Sequence, residues 1–185
     1  MLGLAFTGFA SMLDEEYSFD FTEDVLSAVP TSTGGAYTAF GSYPSFEMKA
    51  LINELAERTG RTHSELYLDL GRFIVSNLAG RYSHHFKSSS EPFAFLCATQ
   101  NRLQHEARKL FRDEDLPVFQ ASHIDAQTLQ IDCDMEPEFS GILLGGVLGV
   151  LEYYEADVDV ENSPILKGGT QWQRFVLRRR QAQAA

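Results

Sequence analysis

A chain of 185 residues, 44% hydrophobic and 22% charged, has the length and composition of one globular domain able to bury its own core. Its formal net charge of -11 and isoelectric point near 4.8 argue against nucleic acid or an anionic membrane as partner, because both need a basic surface. Arg178, Arg179 and Arg180 make a short basic run that reads as a solubilising tail. Cys97 and Cys133 stand far apart, in neither C-x-x-C nor zinc spacing, and are expected to be buried thiols in a reducing compartment. No basic, apolar and small-residue leader is read at the start. The longest apolar stretch, Gly141 to Leu151, is too short and glycine-rich to span a bilayer, so the expectation is a soluble, cytoplasmic protein.

In chain order, Met1 to about Tyr17 reads as a helix, apolar through Leu2, Phe6, Phe9 and Leu13. A second helix follows, capped near Asp20 or Thr22 and stopped by Pro30. Residues 31–44, with Gly34, Gly35 and Gly41, read as a loop. Ser45 to Glu57 is amphipathic, and Thr62 with Glu65 forms a capping box for a helix running to about Leu78. Pro92 opens a helix expected to reach about Phe111. Beyond Pro117 the period changes to two. From Thr128 to Glu138 the odd positions, Leu129 to Pro137, are expected inside, and Asp132, Asp134, Glu136 and Glu138 outside. Phe139 to Tyr154 returns to helix; Val158–Val160 and Gln171–Leu177 read as strands joined around Gly168 and Gly169. The layout is α+β, a helical N-terminal part followed by a smaller part with an antiparallel sheet.

Several segments together resemble the haem–nitric oxide/oxygen binding (H-NOX) family, bacterial stand-alone type. They are the opening Met1-Leu2-Gly3-Leu4-Ala5-Phe6; Gly34-Gly35-Ala36-Tyr37-Thr38 with Gly41-Ser42-Tyr43-Pro44; Thr59-Gly60 with Leu70-Gly71-Arg72-Phe73; and Phe93 to Leu96 with Arg108 to Phe111 and Leu116 to Phe119. The resemblance implies one domain, with a helical N-terminal lobe over about 1–85 packed on a ligand-helix and sheet lobe over about 86–180. It also implies haem b between the lobes, an iron-ligating histidine on the long helix, and a Y-x-S-x-R motif on a following strand that binds the propionates. Gas binding in that family is relayed to a histidine kinase, a cyclase or a chemoreceptor.

Aligned without gaps from Phe93, the ligand histidine falls on Gln104. At about 100° per residue, Phe93, Leu96, Gln100, Leu103 and Gln104 share one apolar arc, and His105 falls on the opposite, polar side. An amide is a poor substitute for imidazole on ferrous haem. The Y-x-S-x-R positions fall on Cys133, Met135 and Pro137, where hydroxyls and guanidinium are lost. Pro117 resembles the family's haem-contacting proline. His63, His84, His85 and His123 read as surface residues in loops or at helix starts, without metal spacing.

The expectation is a non-enzymatic sensory or regulatory domain that has diverged from haem binding, holds no cofactor stably, folds without one, and acts through a protein partner or an apolar ligand. The alternative is a haem b gas sensor with a non-standard axial ligand such as His105. An enzyme is disfavoured: no G-x-S-x-G, P-loop or H-E-x-x-H occurs.

Overall fold

The computed structural model describes residues 1–102 and 118–180. Helix α1 (Gly3–Glu16) buries Phe6, Phe9, Met12 and Leu13, the stripe that a 3.6-residue period lays on one face. α2 (Phe19–Ala28) is capped by Ser18, whose hydroxyl accepts the Phe21 N–H, rather than by Asp20 or Thr22. Ser18 wins because its extended backbone lets the hydroxyl reach a first-turn N–H, whereas both alternatives already lie inside the helix. α3 (Ser45–Thr59) ends on Gly60 in the left-handed conformation (φ 71°). α4 (His63–Arg81) opens with the expected reciprocal Thr62–Glu65 capping box. The short α5 (Ser83–Lys87) and α6 (Pro92–Arg102) follow.

Strands β1 (Phe119–His123) and β2 (Thr128–Cys133), helix α7 (Ser140–Tyr153), and strands β3 (Val158–Lys167) and β4 (Thr170–Arg179) complete the described chain. All neighbours in the sheet are antiparallel, in the order β1-β2-β4-β3. β3 is longer than expected and contains Pro164; an edge strand tolerates proline, since one side of its backbone need not donate.

Two apolar clusters divide the interior. One joins α1 to α4 with Phe139; the other joins α5, α6, α7 and the sheet's inner face, including Leu129, Ile131, Phe175 and Leu177. α4 and α7 run side by side between them, their contacts advancing together along both chains: Gly141 against Tyr67, Gly145 against Leu68 and Gly149 against Arg72 and Val75. The two helices are therefore parallel. A methyl group on Gly145 would sit 2.0 Å from the Leu68 carbonyl oxygen, and one on Gly71 2.0 Å from that of Ile142, so the backbones touch where no side chain intervenes.

The loop of residues 31–44 is fixed by one buried carboxylate. Glu47, 1% exposed, accepts the Ser32 N–H at 3.0 Å and the Tyr37 hydroxyl at 2.8 Å. Burial pushes its carboxyl upward, yet the Ser32 and Tyr37 hydrogen bonds outweigh that and hold it below the ordinary value. Burial, then the bond to Glu47, pushes Tyr37 up to about 12.

Asp132 departs from expectation. It points to the sheet's outer face but is only 5% exposed, because Arg174, directly opposite on β4, closes over it with two hydrogen bonds of 2.7 and 2.9 Å. Lys167, from the β3 end, adds a third charge at 3.6 Å. The bond from Arg174 holds the Asp132 carboxyl below its usual range, against burial. A carboxyl depressed by folding stabilises the protein fully above the unfolded value, and that share is lost as pH falls through the folded value. Asp132→Asn is therefore expected to cost about 1–2 kcal/mol at neutral pH. Its urea midpoint should converge with that of the natural protein in acid; a constant gap across pH would show that the charge is not what matters.

Candidate functional site

Helix α6 is described as far as Arg102, and its residues up to Gln100 follow the expected arc. Phe93 and Leu96 are buried, and the Gln100 side-chain oxygen accepts the Ala121 N–H of β1 at 2.6 Å. Gln104, His105 and Pro117 lie outside the described residues.

The three positions aligned with Y-x-S-x-R fall in three different environments. Cys133, the last residue of β2, is 1% exposed and stands between Phe119 and Gln173 in register. Burial, with Asp134 adding to it, pushes its thiol up to about 12, so the sulfur is protonated and uncharged at neutral pH. Met135 is half-buried against the N-terminal cluster. Pro137 is exposed rather than interior, because the strand does not continue to Glu138. The chain leaves the sheet after Cys133 and makes a 3-10 turn over Pro137–Phe139 that leads into α7.

The cause of that departure lies in the other lobe. Glu136 accepts from Ser45 Oγ at 2.9 Å and from Lys49 Nζ at 3.0 Å, and Glu138 also pairs with Lys49. These two carboxylates are thus not the solvent face of a strand; they tie the turn to α3. The amino terminus adds a further positive charge that favours ionised Glu136. It donates to the Tyr43 carbonyl at 2.7 Å.

This arrangement does not fit haem propionates. Two carboxylates leaving water need cationic or hydroxyl donors, or they cost several kcal/mol. Cys133, Met135 and Pro137 supply a neutral thiol, a thioether and an exposed ring. Lys49, the cation beside the turn, already pairs with both Glu136 and Glu138.

The histidines do not assemble a metal centre among the described residues. His63 is the exposed first residue of α4, and the adjacent His84 and His85 rings lie 3.9 Å apart on α5. His123 ends strand β1 rather than lying in a loop, and its Nε2 is 3.8 Å from the Cys97 sulfur. Cys97 is half-buried, not fully buried as expected, and burial raises its thiol. Sequence reasoning missed Lys49 and Tyr67, which face the turn from α3 and α4. Both occupy ordinary helical positions, and no local pattern marks them. Among the described residues no helix is long and apolar enough to cross a membrane.

Solved structures show the same architecture. The chain superposes on the Fe(II) unliganded H-NOX protein from K. algicida with a TM-score of 0.81 at 20% identity, covering 100% of both chains. A variant of that protein gives 0.82 at 21% identity, over 99% of this chain and 98% of the other. A Cs H-NOX mutant carrying the unnatural amino acid 4-cyano-L-phenylalanine gives 0.82 at 16% identity, over 98% of this chain and 97% of the other. No curated protein matches the sequence. The family described as haem-NO-binding, HNOB, matches residues 2–162, and the chain belongs to that family.

Proposed function

We propose that this protein is a non-enzymatic regulatory domain of the H-NOX fold that has diverged from stable haem binding. It signals in the cytoplasm through a protein partner or an apolar ligand. The observation that carries this reading is the end of β2: Cys133 neutral and buried, Met135 turned to the N-terminal core, Pro137 exposed, and Lys49 already engaged by two glutamates. Gln104 in place of the axial histidine supports it independently from the sequence. The partner class expected from the family is a histidine kinase, a cyclase or a chemoreceptor.

The test is an absorption spectrum of protein expressed with haem supplementation and purified without denaturation. The expected result is no stoichiometric Soret band, together with a cooperative thermal transition in the haem-free protein. A stoichiometric Soret band that persists against apomyoglobin would sink the proposal and favour the gas-sensor alternative with His105 as ligand.

A further inference from the structure

Helix α1 carries apolar residues beyond the face it buries. Phe6, Phe9 and Leu13 enter the core, whereas Leu4, and Leu2 just ahead of the helix, stay half-buried on another side. α4 presents a matching row: Ile74 and Leu78 are half-buried one turn apart, and Arg81 follows on the same side. Gly8 brings the two rows together, since a β-carbon there would meet Ile74 at 2.7 Å. The groove between them has a volume of about 370 Å³, within the range of small-molecule sites. Phe40 and Tyr82 also line it, yet they are 72% and 47% exposed.

Among the described residues the lining belongs to the helical lobe alone: Leu2 and α1, residues 39–40, and α4 with Tyr82. Cys133, Met135 and Pro137 are not part of it, so the groove is separate from the end of β2. Two exposed aromatic rings beside an apolar floor mark a surface that a ligand covers in preference to water. Charge then narrows the ligand. The chain has 26 acidic residues against 15 basic ones, yet no carboxylate is among the described lining residues. Every other arginine whose side chain is described pairs with a carboxylate, whereas Arg81, exposed at the groove, makes no ion pair with the described residues.

We propose that this groove binds a single-chain fatty carboxylate, with its tail on Leu4, Ile74 and Leu78 between the Phe40 and Tyr82 rings and its head on Arg81. The tail supplies affinity, because it takes apolar surface of both partners out of water. The head supplies the choice among apolar molecules. A carboxylate meets the one described arginine that has no counter-ion, and a cationic amphiphile is repelled there. The signalling role of such a ligand rests on the apolar-ligand reading above, whereas its binding rests on the groove. A stoichiometric Soret band therefore overturns that reading and leaves the binding untouched; a failed titration does the reverse.

Calorimetric titration of the full chain with hexanoate, octanoate and decanoate, each kept below micelle formation, tests it. Saturable one-site binding is expected, tightening about threefold with each added methylene. Octanol, which has the tail without the charge, serves as the comparison ligand. Phe40→Ser should weaken octanoate and octanol alike. Arg81→Gln should weaken octanoate about threefold to fivefold, the worth of an exposed ion pair, and leave octanol unchanged. Both side chains are exposed, so both variants should keep the thermal midpoint of the natural protein. Absence of saturable decanoate binding overturns the proposal. So does undiminished octanoate binding by either variant, which would place the ligand elsewhere on the chain.

Discussion

Replacing Gly145 by alanine is expected to cost about 3 kcal/mol, whereas the same replacement at Gly146 is expected to raise stability by about 0.5–1 kcal/mol. The two residues are adjacent in α7 and equal in intrinsic preference, so packing alone separates them. A β-carbon at Gly145 would lie 2.0 Å from the Leu68 carbonyl oxygen, 2.9 Å from its carbon and 3.1 Å from the Arg72 nitrogen. These are backbone atoms in the middle of α4 and cannot rotate away. The helices would have to separate along their length, and the loss would spread through both apolar clusters. At Gly146 the added methyl meets, among the described residues, only a Val75 methyl at an ordinary 3.8 Å. There the gain is the lower conformational entropy of the unfolded chain. For a domain of this size, about 3 kcal/mol lowers the melting temperature by roughly 6–12 °C. Urea midpoints of the two single variants decide the matter. Equal effects at Gly145 and Gly146 would mean that the backbones are not in contact there.

Restoring the axial histidine by Gln104→His is expected to give weak, easily transferred haem rather than a stable complex. The imidazole would supply the iron bond, but the propionates would still meet Cys133, Met135 and Pro137. Each charge-assisted hydrogen bond to an ionised group is worth about 1.5–3 kcal/mol, so missing several of them reduces affinity by orders of magnitude. Adding Cys133→Tyr, Met135→Ser and Pro137→Arg should tighten binding beyond either set alone, because all contacts share one ligand. The three restorations are unequal. Tyrosine at Cys133 must enter a site that is 1% exposed, so part of its gain is lost to overpacking. Arginine at Pro137 starts from the surface and has Glu136 and Glu138 beside it to pair with instead. Haem transfer rates to apomyoglobin rank the single, triple and quadruple variants. Slow transfer from Gln104→His alone would show that the propionate contacts matter less than argued.

Much of the helical lobe was legible from residues alone. Phe6, Phe9 and Leu13 recur at helical spacing, and Thr62 and Glu65 announce a helix start; each acts over one or two turns, within reach of local sequence. The identities at positions 104, 133, 135 and 137 were likewise available without coordinates, and the proposal that this chain has diverged from haem binding starts from them.

The error at β2 shows where local pattern stops. Alternation of apolar and polar residues continues unbroken from Leu129 to Glu138, yet the strand ends at Cys133. Pro137, which cannot donate to a ladder, was the available warning. The deciding contacts are nonetheless those of Ser45 and Lys49 with Glu136, and of Lys49 with Glu138, across about 90 positions of chain. β1 went unrecognised for the same reason: Phe119–His123 has little pattern of its own and is a strand because β2 pairs with it.

What the sequence by itself determined about this protein is where most of its helices lie, which family it resembles and which residues stand at the positions aligned with that family's haem-binding side chains, since all three depend on residue identity at short spacing. Only the tertiary structure decided which charges are buried and where two helices touch. Asp132 is covered because β4 brings Arg174 opposite it, and α4 and α7 run side by side because Gly145 and Gly71 let their backbones touch. Such facts belong to pairs of distant residues, and no single segment carries them.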